Sequence, residues 1–377
     1  MKCVYLAVVL ILAGPAVAAE TPEQAAAQEK IRAALPLGGN FQPALEEGVF
    51  VAAGHGLNVV SSRDDGKTWK RVFYGAPCGD HGRWAVWNSV AYTKGVFAIA
   101  AGWGAPGTVI ASDDGASWRH LTDGKRQPAK KGDKPYDMRT TMQLIGVDGA
   151  FIMPFEATPD FGRTWYQSSP YNLKDRDGNK VKVDAGHPSV AYGAGRVIVV
   201  GDTGPALYSD DLGKTWTPLQ VKAEPWEEGG AKGIIAKDGV FILVKGNGGT
   251  VLRSEDKGLT WKAYPLGVER PAGRSYGLSV VGGEFWVTGQ TSRASKDGIT
   301  WRDLPKSTPS GRIAVSDKGT LINVDRKRTS ILRSTDGGKT WTEVYQYTPD
   351  PQATGGAQGL SDVEFGLVRK LRPAQAP

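Results

Sequence analysis

Ser62-Arg63-Asp64-Asp65-Gly66-Lys67-Thr68-Trp69 opens a pattern that returns six more times along the chain. Aligned on the tryptophan, the later copies end at Trp118, Trp165, Trp216, Trp261, Trp301 and Trp341, with spacings of 49, 47, 51, 45, 40 and 40 residues. A second register runs ahead of each copy. Between 16 and 23 residues before each tryptophan stands a glycine that opens an apolar run: Gly48, Gly95, Gly149, Gly195, Gly239, Gly283 and Gly319. A further strand-like segment precedes that glycine, as in Ser89-Val90-Ala91-Tyr92. One unit therefore reads strand, Gly turn, strand, loop, strand, Asp turn, strand. Four strands per period of about 45 residues is one blade of a propeller. The fold expected is all-β, a seven-bladed β-propeller of four-stranded antiparallel blades.

The turn chemistry fits that assignment. Ser and Asp side chains bond nearby backbone groups and frame a hairpin, and Gly takes the positive-φ position. The tryptophan offers a large apolar surface to cover a blade edge, so Trp69, Trp165, Trp216, Trp261 and Trp341 are expected to be buried. Copy two has Ala111 at the usual Ser position and copy six has Lys296 at the usual Asp position, so these two turns are expected to be the least well framed. One or two carboxylates per turn fall short of the roughly six to eight oxygens that Ca²⁺ takes. No His/Cys/Asp/Glu spacing suggests another metal, and no cofactor motif stands out, so none of either is expected.

Composition agrees. With 50 Gly and 12 Trp but only 4 Met in 377 residues, short strands and tight turns are favoured over helices. A net charge of +7 is a mild excess, far from the dense basic stripe of a nucleic-acid binder. Lys2, the apolar run from Val4 to Ala13 and Ala16-Val17-Ala18 have the order of a secretory signal peptide, too short to span a bilayer. The organisation expected is a signal peptide over 1–18, a helical segment over 19–38, the propeller over 39–371 and a tail over 372–377. Thr21-Pro22-Glu23-Gln24 reads as the cap of that helix. Leu360 to Leu371 reads as a strand that pairs with the N-terminal part of the chain and closes the ring. The mature protein is expected to be secreted or periplasmic and monomeric, with no membrane span. Its one remaining cysteine, Cys78, has no partner for an internal disulfide.

In this topology the Asp turns lie on one face. The links between blades and the loops between second and third strands lie on the other, which is where long loops with His, Arg and aromatic residues gather. The link from Gly75 to Asn88 holds His81, Arg83 and Trp84. The link from Asp123 to Thr140 ends near Arg139, and that from Tyr171 to Pro188 ends in His187. Later links supply Glu228, then Arg274 and Tyr276, then Arg312, and a loop of blade seven supplies Arg328. His55 and Trp103 fall on the same side, and His120 on an outer strand. A planar guanidinium grips a carboxylate at two points, so Arg83, Arg139, Arg274, Arg312 and Arg328, with Trp84, are candidate ligand-binding residues. His81, His187, Tyr276 and Glu228 are the candidate proton-transfer or nucleophilic groups. The plainer alternative is an Arg/Glu network that stiffens the loops.

The seven copies, from about Phe41 to Tyr347, resemble the Asp-box (BNR-repeat) propellers of the sialidase-like superfamily. That family includes sialidases, xyloglucanases, some polysaccharide lyases and photosystem II assembly factors. The resemblance implies a ligand site on the face opposite the Asp turns. Where sialidases carry an Arg-Ile-Pro segment, this chain has Gly39-Asn40-Phe41-Gln42-Pro43. The first arginine of their triad is therefore missing. Related lyases use His or Tyr as the base and Arg to neutralise a uronate, an outline that His81, His187, Tyr276 and the arginines follow. The function expected is an exported sialidase-like propeller that binds, and as a hydrolase or lyase would cleave, an acidic (carboxylated) glycan. The alternative is a non-catalytic protein-binding or assembly-factor platform.

Overall fold

The computed structural model describes residues 45–74, 87–102, 108–121, 143–167, 173, 188–201, 206–219, 231–245, 249–267, 277–289, 291–324, 329–348 and 359–370. They form seven four-stranded antiparallel sheets, the blades of a propeller. The inner strands are Leu360–Val368, Trp87–Thr93, Ile145–Val147, Ser189–Gly193, Ala231–Lys237, Gly277–Val281 and Ile313–Val315, for blades 1 to 7 in that order. Each packs beside the next, and the seventh returns to the first. The expected helical segment over 19–38 lies outside the described residues. Among the described residues no helix is long and apolar enough to cross a membrane.

Blade 1 is built from both ends of the ring. Leu360–Val368 pairs antiparallel with Glu47–Gly54, from Glu47 opposite Val368 to Gly54 opposite Leu360. Asn58–Ser62 and Lys70–Tyr74 complete the sheet. The pairing expected of the C-terminal segment is present and ends at Val368. The apolar core lies in the seams between blades. In the seam from blade 7 to blade 1, Phe50, Val60, Trp69, Ile322, Ile331 and Val363 pack together. Phe50 lies against Phe365 with ring centroids 4.9 Å apart.

Local chemistry explains the hairpins. The inner and second strands of blades 2 to 5 meet in two-residue turns whose residues both have positive φ, such as Asp148 and Gly149 at 49° and 88°. Such turns carry the right-handed twist of the strands they join. The Asp turns come in two lengths. In the longer form Ser62 Oγ donates to Asp64 Oδ1 at 2.8 Å and accepts from the Gly66 amide at 2.9 Å. Asp64 also accepts from the Thr68 amide and hydroxyl at 2.9 and 2.7 Å. The Trp indole N–H reaches the turn glycine's carbonyl at Trp69, Trp165, Trp261 and Trp341.

Copies two and six, expected to be the least well framed, are the shorter form: their Ser and Asp frame is present, one residue on from Ala111 and Lys296, whereas the indole N–H groups of Trp118 and Trp301 are buried without a hydrogen-bond partner. Ser112 and Asp114 take the framing positions in copy two, and Ser295 and Asp297 in copy six. Asp114 accepts the Ser117 amide at 2.7 Å, and Asp297 accepts the Thr300 amide at 2.9 Å. The shorter turns drop the left-handed residue before the glycine, the place of Asp65, Phe161, Leu212 and Lys257 elsewhere. The tryptophans need a correction. Trp69, Trp216 and Trp261 are buried, whereas Trp165 and Trp341 are only half-buried.

Each turn also serves the neighbouring blade. A Cβ on Gly66 would fall 2.5 Å from Ile322 Cδ1, and one on Gly298 2.4 Å from Ile242 Cδ1, in both cases on the preceding blade. An arginine of the preceding blade bonds the carbonyl just ahead of the turn glycine in four seams. Arg333 reaches Asp65 at 2.8 Å, Arg253 reaches Asp297 at 2.7 Å, Arg196 reaches Lys257 at 3.2 Å, and Arg63 reaches Asp114.

Candidate functional site

The rim opposite the Asp turns is where the inner strands begin. At that end the inner strands are tied to one another by side chains. Asp362 of blade 1 accepts the Val90 amide at 2.9 Å and the Ser89 hydroxyl at 3.2 Å, both from blade 2. Ser89 Oγ in turn accepts the Leu144 amide at 3.0 Å, at the entry to blade 3. Gln143 accepts the Val190 amide at 3.0 Å and the Ser189 hydroxyl at 2.6 Å, and Ser189 accepts the Ile234 amide at 3.2 Å. Ser279 accepts the Ile313 amide at 2.8 Å. An inner strand is an edge strand, and these acceptors satisfy amides that would otherwise face the channel.

Arg312, on the last residue before the inner strand of blade 7, is the one sequence-selected site residue among those described. Its guanidinium spans three blades. Nη1 donates to the Val90 carbonyl at 3.1 Å and to both oxygens of Asp362 at 3.2 Å, and Nη2 donates to Glu364. The side chain keeps 34 % of its exposure. Burial opposes the Arg312 charge, but Glu364 and Asp362 outweigh it and raise the guanidinium above its ordinary value. Burial pushes the Glu364 carboxyl up, with Arg312 pulling the other way. Asp362 and Glu364, two apart on one strand, have the look of an acid/base pair. Their bonds place them instead as a joint: Asp362 accepts from Val90, Ser89, Val363 and Arg312. Arg312 is spent on ring closure in the manner of the Arg/Glu network.

His81, Arg83, Trp84, Arg139, His187, Glu228, Arg274, Tyr276 and Arg328 lie outside the described residues. The chain leaves toward each of their segments, and returns from it, at this rim. In the loop between the second and third strands of blade 1, His55 is 3 % exposed and its amide donates to the Gly359 carbonyl at 2.9 Å. Asn88 donates to the Gly54 carbonyl. Sequence reading passed over Asp362, Glu364, Ser89 and Gln143. The signal was the alternation Asp362-Val363-Glu364 inside a strand that had to be innermost, where a carboxylate needs a partner. Among the described residues no group of three or more His, Cys, Asp or Glu is arranged to hold a metal.

Comparison with known proteins agrees on the fold. A family model described as the DUF6242 beta propeller domain matches residues 213–354, from the Asp turn of blade 4 to just past the outer strand of blade 7. No curated protein matches the sequence. A candidate 6-phosphogluconolactonase from Bacteroides uniformis superposes with a TM-score of 0.50 at 7 % identity, covering 85 % of this chain and 100 % of its own. YCF48 bound to D1 peptide gives 0.37 at 15 % identity, covering 80 % and 84 %. Streptogramin B lyase gives 0.42 at 14 % identity, covering 72 % and 85 %. The chain is a seven-bladed propeller, and its likeness to the candidate 6-phosphogluconolactonase is one of fold.

Proposed function

We propose that this protein is an exported, non-catalytic binding propeller whose loop rim engages a protein partner. The observation that carries the reading is the fate of Arg312. A guanidinium selected for gripping a ligand carboxylate is bound by Asp362, Glu364 and the Val90 carbonyl. The inner rim is thus built as a stiff frame, with its acids and hydroxyls committed to joints between blades. A stiff frame carrying long links suits recognition by surface, because the ordering cost of the frame is met on folding and not on binding.

The test is site-specific photocrosslinking on the exported full-length protein in its own cells. Probes at Trp84 and Arg139 sample the rim, and probes at Lys214 and Lys339 sample exposed positions of the Asp-turn face. One shared protein adduct from both rim probes and neither control supports the platform. Absence of a rim adduct, with saturable binding of an acidic oligosaccharide, refutes it. That outcome belongs to the second reading, a carboxylated-glycan site. The content of the links favours that reading: Arg83, Trp84, Arg139, Arg274 and Arg328 to hold the anion and ring, with His81, His187, Tyr276 or Glu228 for proton transfer. Loss of oligosaccharide binding in Arg274→Ala/Arg328→Ala is its signature.

A further inference from the structure

The closing seam, between blades 7 and 1, reaches the outer edge of the loop rim beside Arg71. The outer strand of blade 1 ends there in Arg71, Val72, Phe73 and Tyr74. Arg71 lies opposite Val60 and Phe73 opposite Val59, so Val72 is an extra residue, a bulge. Val60 belongs to the core between blades 7 and 1, and Val59 and Phe73 to the core between blades 1 and 2. Plain alternation would set Arg71 and Tyr74 on opposite faces of the sheet. The bulge brings both to the face turned toward blade 7. Blade 7 uses the same device. Its outer strand, Thr342–Gln346, has a register shift around Val344, and Tyr345, opposite Ile331, packs on the core between blades 7 and 1. The third-to-fourth strand pairs described in the other blades carry no such shift.

Arg71 is exposed, and among the described residues it makes no hydrogen bond or ion pair. Arg63, Arg196, Arg253 and Arg333 each hold a carbonyl of the next blade instead. The Arg71 guanidinium carbon stands 5.5 Å from the centre of the Tyr74 ring, within cation–π range. Its charge also reaches Tyr345, where burial raises the phenol pKa and Arg71 pulls the other way. The Tyr74 ring abuts the rim: a Cβ on Gly56, in the loop between second and third strands, would fall 3.6 Å from its Cε2. Both rings are half-buried, so little further ordering is needed when they meet a ligand. A planar guanidinium matches a carboxylate at two points, and Arg and Tyr are the side chains that most often anchor protein interfaces. Lys70, also exposed, precedes Arg71 on the strand and adds to the attraction for an acid.

We propose that Arg71, flanked by Tyr74 and Tyr345, anchors an acidic segment of the protein partner. The inference rests on the platform reading and names what the partner presents: an Asp or Glu carboxylate to the guanidinium, with its neighbours against the two rings. The test places a photocrosslinking probe at Gln346, the exposed residue after Tyr345, in the exported full-length protein, and sequences the crosslinked peptide. The expected adduct is the partner that probes at Trp84 and Arg139 capture, joined through a segment rich in Asp and Glu. Its yield should fall about tenfold in Arg71→Met. Arg71→Lys keeps the charge without the fork and should fall between. Neither variant removes a hydrogen bond of the described fold, so a Tm matching wild type separates lost contact from lost folding. Unchanged yield in both variants, or a captured segment without acids, overturns the inference, while adducts at Trp84 and Arg139 leave the platform standing. No adduct at any rim probe overturns both. Saturable binding of an acidic oligosaccharide that Arg71→Met abolishes gives the anchor to a glycan and overturns the acidic-segment assignment.

Discussion

Replacing Gly366 with alanine should loosen the ring at its closing strand. A Cβ at Gly366 would stand 2.2 Å from Tyr92 Cδ2, 2.4 Å from Cε2 and 2.6 Å from Cγ, well inside van der Waals contact. The Tyr92 ring lies flat on the glycine and cannot easily give way. Its hydroxyl donates to the Leu367 carbonyl and accepts the Gly95 amide at 3.0 Å. Overpacking of a well-filled site costs about 1–3 kcal/mol, and each hydrogen bond disturbed adds about 0.5–1.5 kcal/mol. Against this, alanine in a strand gains roughly 0.5–1 kcal/mol over glycine through the unfolded chain. The net expectation is a loss of about 2–4 kcal/mol, or roughly 4–16 °C in Tm at about 2–4 °C per kcal/mol. The assay is a double-mutant cycle by urea denaturation: Gly366→Ala, Tyr92→Ala and the pair. Removing the ring removes the clash, so the pair should be more stable than the two single losses add up to. A Gly366→Ala midpoint equal to wild type, or strictly additive losses, would refute the reasoning.

Arg312→Ala leaves Asp362 and Glu364 facing one another; with a third of the arginine side chain exposed, the expected loss is about 1–3 kcal/mol in urea unfolding, and Arg312→Met/Glu364→Met should recover part of it. In Asp64, burial favours the neutral acid, but bonds from the Thr68 hydroxyl and amide and from Ser62 outweigh it and lower the pKa from 3.8 to about 2. A folded pKa below the unfolded one stabilises the protein above pH 4, and that contribution is lost as pH falls toward 2. Asp64→Asn should therefore flatten the acid limb of a Tm-against-pH curve, and an unchanged limb would count against it. Deleting residues 360–377 removes the inner strand of blade 1 and should abolish cooperative unfolding by circular dichroism; a truncated protein with wild-type Tm would place closure elsewhere.

The architecture was legible because one local motif recurs, and each copy fixes a turn, a strand start and a seam at once. The two misread turns show where that method fails. Alignment on the tryptophan forces Ala111 and Lys296 into register with Ser and Asp, although a single left-handed residue is absent and Ser112, Asp114, Ser295 and Asp297 do the framing. Trp165 and Trp341 read as core residues by analogy with Trp69, but both stand only half-buried, a difference that the shared motif does not encode. The joint at Arg312 could not be read, because its partners Asp362 and Glu364 lie 50 and 52 residues on. The Tyr92 hydroxyl meets Leu367 across 275. The remaining candidate residues sit in links whose lengths vary from blade to blade, where no repeat fixes a position.

That the first blade takes its inner strand from Leu360–Val368 has a consequence for the growing chain. Blades 2 to 7 draw their four strands from consecutive sequence and can form as each emerges. Blade 1 cannot. Until the final strand appears, Glu47–Gly54 presents an unpaired edge whose Val49, Phe50 and Val51 are each 0 % exposed once the ring is shut. The entropy of closing so long a loop is modest, because it grows with the logarithm of length: roughly 2 kcal/mol beyond that for a single blade. The hazard is temporal. For most of synthesis a sticky β-edge waits for a strand not yet made, and any other unpaired strand can compete for it. Substitutions in the last strand should therefore raise aggregation during expression before they register in the melting temperature of the finished protein.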